Sequence, residues 1–153
     1  MRARFLSAHL LFSLGDFVRE VPYDPDLYFV GEEINLTIRA YTYGYDFFHP
    51  PEIIVWHEYE RNNRGVHWKD HVEERGVERA WRERDTVSRQ KIVRFLADPW
   101  VGPFGCGSVR TFADYEAYAG ISFRHRRVQQ YTRRGEEPPN PPMPSNWAER
   151  IRT

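Results

Sequence analysis

The sequence predicts a single α/β layered domain. Apolar runs of strand length alternate with helical segments, and turns rich in glycine, proline and aspartate separate them, which favours α/β layers over an all-β fold or a helical bundle. A chain of 153 residues is long enough to bury one sizeable core. With 41% hydrophobic and 29% charged residues, its composition is ordinary for a globular domain.

The first half of the chain predicts strands and helices in alternation. Glu32 and Glu33 open a helix, since carboxylates in a first turn interact favourably with the positive end of the helix dipole. Gly44 is a good stop for that helix because glycine adopts the left-handed conformation. In chain order, the predicted elements are a strand at 5–14, a helical turn at 16–18, an extended segment at 27–29, the helix from 32, and strands at 45–48 and 53–56.

The second half is more charged and richer in loops. We interpret residues 61–84 as a surface excursion over a cleft. Thr111 supplies a helix N-cap and Asp114 an acidic third position. Five prolines between 136 and 144 argue against a regular element there. We therefore predict a helix at 86–96, a glycine-rich loop at 100–108, a helix from 111 to 120, and a division into a domain at 1–134 and a mobile tail at 135–153.

Charge and cysteine content narrow the functional class. Basic and acidic residues both number 22, so we expect neither nucleic acid nor a membrane as a partner. Cys106 is the single cysteine, which excludes an internal disulfide and favours a cytoplasmic location. Two arginines precede an apolar patch at the start, but His9 and Ser13 interrupt it, so we interpret this patch as a strand and not as a signal peptide.

Three positions are candidates for chemistry. Glu32 and Glu33 follow a short extended segment directly, where open α/β sheets carry substrate-facing groups. They could orient or activate a substrate hydroxyl, stabilise a developing positive charge, or only stabilise the helix start. His57 closes an apolar segment directly after Trp56, and it could be a ligand of a divalent metal or a hydrogen-bonded structural residue.

Other patterns favour no specific chemistry. His67 and His71 are four residues apart, but Trp68 stands where a zinc-protease helix has its glutamate, which argues against a zinc hydrolase. The sequence has no glycine-rich phosphate loop followed by Lys-Ser or Lys-Thr, and no G-x-S-x-G elbow. Cys106 lies between two glycines, so we expect a flexible loop with an exposed, neutral thiol.

Residues 4–134 resemble the family of GlcNAc-transferring glycosyltransferases that includes the enzymes acting on protein hydroxyproline. The similarity comes from short blocks in a fixed order. These blocks are FVREVPYDP at 17–25, LYFVGEE at 27–33, GYD at 44–46, WHEY at 56–59, and the segment 105–111 with Tyr115, Gly120 and Phe123.

The resemblance implies a GT-A fold, a Rossmann-like α/β layer. It also implies transfer of GlcNAc from UDP-GlcNAc to a hydroxyl acceptor, such as a protein or peptide, with retention of configuration. Glu32 and Glu33 match the acidic motif that faces the sugar and acceptor, which makes them the candidate catalytic residues. His57 matches a ligand position for a divalent metal, Mn or Mg, and Trp56 and Tyr59 are the candidate substrate-binding aromatics.

The family pattern also has a first half, with uridine-binding strands and an Asp-x-Asp metal motif. Asp24-Pro25-Asp26 has that form but falls in a loop beyond the family's metal motif. We therefore expect the C-terminal, acceptor-side part of a GT-A-like domain, with the donor half encoded upstream or supplied by a second chain. The alternatives are a non-catalytic module that binds a carbohydrate or protein, and an assembly role in which self-association or a second chain covers an exposed half-core.

Overall fold

Helices form most of the regular structure in the computed structural model, which describes residues 1–60 and 65–141. In chain order the elements are α1 (Asp16–Glu20), α2 (Glu32–Thr42), two 3₁₀ turns (His67–Asp70 and Glu73–Arg75), α3 (Trp81–Ala97), α4 (Phe112–Ala119), β1 (Ile121–Ser122), β2 (Arg127–Val128) and α5 (Gln130–Arg133). Strands β1 and β2 pair antiparallel, with Ile121 opposite Val128. Among these residues, no helix is long and apolar enough to cross a bilayer.

Helix α2 is the centre of the molecule. Its first turn carries Glu32 and Glu33, and every residue from 35 to 42 is buried. A helix that is buried on all sides does not need a single apolar stripe, which explains why its sequence shows only a partial one. Helix α2 packs against α4, and this pair forms the main core.

An aromatic cluster joins α2 to α4 and to the start of the chain. The Tyr41 ring stacks on Tyr118, with ring centroids 4.9 Å apart, and meets Tyr115 edge-on at 5.5 Å. The Tyr118 hydroxyl donates to the Ala3 carbonyl at 2.5 Å, and the Tyr115 hydroxyl donates to the Arg4 carbonyl at 3.2 Å. These bonds hold the N-terminal segment against the core.

Helix α3 fixes the segment that leads into α2. The buried Ser88 hydroxyl accepts from the Tyr28 amide at 3.0 Å and donates to the Val30 carbonyl at 2.5 Å. The predicted helix is confirmed, but it begins at Trp81 and not at 86. Its N-cap is Ala80, which makes no side-chain capping bond, so the sequence carried no signal for this start.

The other predicted helices are confirmed. Thr111 and Asp114 form a reciprocal capping box, and Gly120 ends α4 in the left-handed conformation. The predicted helical turn, α1, begins at Asp16, and its N-cap residue is Gly15.

The strands predicted at 5–14, 45–48 and 53–56 do not form, and the segment at 27–29, predicted to be extended, is not part of a strand. The bridge between Arg2 and Phe48 is an isolated pair. A β-strand is defined by its hydrogen bonds to a neighbouring strand. These segments are apolar, but among the described residues none of them pairs with a partner strand. The α/β class and its GT-A relation therefore stay predictions.

Residues 136–140 contact the N-terminal segment. The Arg2 side chain donates to the Pro138 carbonyl at 2.8 Å and to Asn140 Oδ1 at 2.6 Å. Arg4 donates to the Glu136 carbonyl at 2.8 Å. The proposed domain boundary at 134 stays a prediction, and residues 142–153 of the predicted tail lie outside the described residues, as does part of the predicted excursion, at 61–64.

Gly31 provides a test of the contact between α2 and α3. Its φ is +89°, and an added Cβ would lie 2.8 Å from Ile92 Cβ. We expect Gly31→Ala to lower the free energy of unfolding by about 2–4 kcal/mol, from backbone strain and overpacking. Gly15→Ala is the control, since Gly15 has φ −60° and open space around it. Equal losses in urea denaturation of the two variants would contradict the tight contact at Gly31.

Candidate functional site

The two adjacent carboxylates at the start of α2 have different surroundings. Glu32 is partly buried, and its Oε2 atom is inaccessible and has no hydrogen-bond partner among the described residues. Glu33 is exposed, and its Oε1 atom accepts from the Ala8 amide at 2.7 Å. The surface position leaves Glu33 accessible to a ligand, whereas Glu32 faces the protein.

The electrostatic surroundings of Glu32 also affect its protonation. Burial raises the pKa of Glu32, a backbone hydrogen bond opposes this rise, and the negative charge of Glu33 adds to it. Burial also raises the pKa of the Tyr23 hydroxyl, with smaller contributions from the charges of Glu32 and Glu33. The phenol of Tyr23 is therefore within electrostatic reach of both carboxylates. Sequence reasoning did not select Tyr23, because nothing in its spacing points to the start of α2.

The predicted histidine and aromatic residues lie on an exposed segment without regular secondary structure. Trp56 and Tyr59 are 83% and 73% exposed. The His57 ring lies 4.3 Å from the Tyr59 ring and 4.1 Å from the His9 ring, measured between centroids. Flat exposed rings of this kind can cover the apolar face of a sugar. The structure thus places Trp56, His57 and Tyr59 together at the surface.

A short N-terminal segment connects these two groups of residues. The Leu6 amide donates to Thr37 Oγ1 at 3.0 Å, and the Ala8 amide donates to Glu33. The next residue is His9, whose ring contacts His57. Glu33 and His57 are therefore held by neighbouring residues of one segment, although they are far apart in sequence. His9 was missed because the sequence showed it only as an interruption of an apolar run.

Two grooves border this segment. The larger has a volume of about 590 Å³ and lies between residues 3–13, His9 included, and residues 45–55. The smaller has a volume of about 230 Å³, and Glu33 is in its wall. Phe5 and Leu6 line both grooves. The larger volume is in the range of small-molecule binding sites.

The residues fit a divalent metal only as part of its ligand set. His57 offers an exposed imidazole with a second imidazole beside it. No group of three or more His, Cys, Asp or Glu side chains that could hold a metal is found at 1–60 and 65–141. Further ligands would come from a bound substrate, from water, or from residues outside this part of the chain.

The expectation of an exposed thiol at Cys106 is wrong. Cys106 is 6% exposed, because the loop folds back onto α2. The Gly107 amide donates to Thr42 Oγ1 at 2.8 Å, and the Cys106 amide donates to the Trp100 carbonyl at 2.7 Å. Burial raises the pKa of the thiol, with opposing effects from Thr42 and Arg39. The thiol is therefore neutral near pH 7.

Comparison with known proteins defines the class. A family model described as Glycosyltransferase (GlcNAc) matches residues 1–125, which is most of the chain and includes every candidate residue above. The chain belongs to the GlcNAc glycosyltransferase family. No curated protein and no solved structure matches it.

The raised pKa of Glu32 has a consequence for stability. A carboxyl whose pKa is raised by folding binds its proton more tightly in the folded state, so stability decreases as pH rises from the ordinary value of 4.5 through the folded pKa. We expect Glu32→Gln to remove this loss, and therefore to raise Tm at pH 7 but not below pH 4.5. Thermal melts from pH 4 to 8 measure the difference, with exposed Glu52→Gln as the control. A difference in Tm that does not vary with pH would contradict the burial effect.

Proposed function

We propose that this chain supplies the acceptor-side part of a GT-A-like, metal-dependent transferase. The proposed reaction moves GlcNAc from UDP-GlcNAc to a hydroxyl acceptor, such as a protein or peptide, with retention of configuration. Membership of the GlcNAc glycosyltransferase family supports the class. The observation that carries the site is the segment that bonds to Glu33 through Ala8 and contacts His57 through His9.

Within this proposal Glu33 is the substrate-facing carboxylate. It is exposed and can accept a hydrogen bond from a sugar or acceptor hydroxyl, which orients the hydroxyl and increases its nucleophilicity. Glu32 has a supporting role. One of its oxygens is buried, and its raised pKa lowers the fraction of molecules in which Glu32 carries a negative charge. Tyr23 adds a phenol that is within electrostatic reach of both carboxylates.

His57 is the proposed protein ligand of a divalent cation, Mn or Mg. When bound, such a cation neutralises the negative charge of a leaving diphosphate. Trp56 and Tyr59 are the proposed sugar-binding aromatics, since both side chains are exposed and the Tyr59 ring lies beside that of His57.

The second candidate is a binding module without transfer activity. The larger groove favours it, because exposed apolar residues at 53–55 form one of its walls. Calorimetry with UDP-GlcNAc and Mn²⁺, on the protein as its gene encodes it, separates the two functions. Heat from donor binding supports the transferase. Carbohydrate or peptide binding without donor binding supports the module.

Glu33→Gln tests the catalytic assignment. The amide keeps an oxygen that can accept from Ala8 but loses the charge, so we expect kcat to decrease by about 10²-fold or more with little change in KM. The assay is transfer of labelled GlcNAc by the protein as its gene encodes it.

The matched control for this assay is Glu116→Gln. Glu116 is also a helical carboxylate that accepts from a backbone amide, that of Phe123 at 2.7 Å, but it lies on α4. We expect its kcat to be unchanged. If Glu33→Gln only lowers stability by about 0.3–1 kcal/mol and leaves kcat unchanged, then Glu33 stabilises the helix start and the catalytic assignment is wrong.

A further inference from the structure

We infer that His9 and His57 together form a two-imidazole metal site at the edge of the larger groove, and that this site selects metals with an affinity for nitrogen ligands. The inference rests on the metal-ligand role proposed for His57. It adds a second protein ligand and an order of preference, with Zn²⁺, Co²⁺ and Ni²⁺ ahead of Mn²⁺ and with Mg²⁺ last. Imidazole suits the first group, whereas Mg²⁺ prefers oxygen ligands.

The two rings are close enough to share one ion. Their centroids are 4.1 Å apart and their planes are inclined at 74°. In a tetrahedral site with metal–nitrogen distances of about 2.0–2.1 Å, two imidazole centroids lie roughly 5 Å apart. Both residues are exposed, and a side-chain rotation that separates the rings by roughly 1 Å would bring them to this distance.

Ser7 fixes the orientation of the His9 ring. The Ser7 hydroxyl oxygen lies 2.7 Å from His9 Nδ1. When Nδ1–H donates to this oxygen, Nε2 is left with a lone pair for a metal. Partners of this kind on the second ring nitrogen are a regular feature of metal-binding histidines, because they set the tautomer and the ring orientation.

The backbone around His9 is anchored on α2. Leu6 and Ala8 donate to Thr37 and Glu33, which holds the segment in place before any ion binds. The Tyr59 ring adds a wall, with its centroid 4.3 Å from that of His57 and 6.0 Å from that of His9. This anchoring reduces the ordering that metal binding would otherwise require.

Two protein ligands leave the site open. Two imidazoles fill two of the four positions of a tetrahedral site, and water or phosphate oxygens can fill the others. An open coordination sphere is typical of catalytic metal sites and not of structural ones, which are closed by four protein ligands. The position at the groove edge would allow one ion to contact the protein and a phosphorylated ligand at the same time.

Direct metal binding tests this site without any transfer activity. Zn²⁺ calorimetry and Co²⁺ absorption titrations are done on the protein as encoded, comparing wild type with His9→Ala, His57→Ala and Ser7→Ala. We expect each histidine variant to bind at least about tenfold more weakly, and Ser7→Ala to weaken binding less, as the loss of an indirect partner does. His125→Ala is the control, because His125 is exposed between β1 and β2, and we expect its affinity to be unchanged.

The outcomes separate the inference from the proposed function. Weakening in His57→Ala alone overturns the paired site but leaves His57 as a ligand. No weakening in either variant overturns both assignments. Equal weakening in all variants, His125→Ala included, indicates unspecific binding and also overturns the paired site. Since both rings are exposed, melting curves of the variants should match wild type, which excludes unfolding as the cause.

Discussion

The buried guanidinium of Arg39 holds together the loops on either side of α2. Arg39 is 1% exposed, and it donates to the Pro22 carbonyl at 2.6 Å and to the Gly105 carbonyl at 3.2 Å. Burial lowers its pKa, while the nearby Tyr43 and Asp24 oppose this effect. A buried cation is tolerated only when its donors are satisfied. Moving either loop away from α2 would leave the buried charge without a hydrogen-bond acceptor. This free-energy cost holds both loops against α2.

From the Pro22 loop, a series of polar contacts reaches the candidate site. Lys91 on α3 bonds to Asp24 at 2.7 Å and to Asp26 at 2.8 Å. Ser88, one turn earlier on α3, holds the backbone at 28–30, directly before α2 begins. The position of Glu32 and Glu33 at the start of α2 thus depends on core contacts of α2 and α3. A change far from Glu33 can alter its position without touching it.

Local signals in the sequence predicted local structure well. The Thr111 capping box and the carboxylates at the start of α2 each depend on residues within one helical turn, and both helices are confirmed. The order of short sequence blocks identified the GlcNAc family, which the family match confirms. The donor, the acceptor, retention and the GT-A relation stay predictions.

What the sequence could not predict depends on contacts between distant residues. His9 contacts His57, and Tyr23 comes within electrostatic reach of Glu32 and Glu33, only after the chain has folded. The apolar segments at 5–14 and 53–56 have the composition of strands, but pairing needs a second strand that composition does not reveal. Cys106 was expected at the surface because two glycines flank it, whereas the loop packs onto α2.

Because Cys106 is buried, the reactivity of its thiol reports how often the loop around it opens. It is the single thiol in the sequence, and it lies in a loop whose backbone bonds to Thr42 and Arg39. A thiol-specific reagent can modify it only in molecules where that loop has separated from α2. The rate of modification therefore measures the free energy of this local opening, separately from global unfolding and without any introduced label.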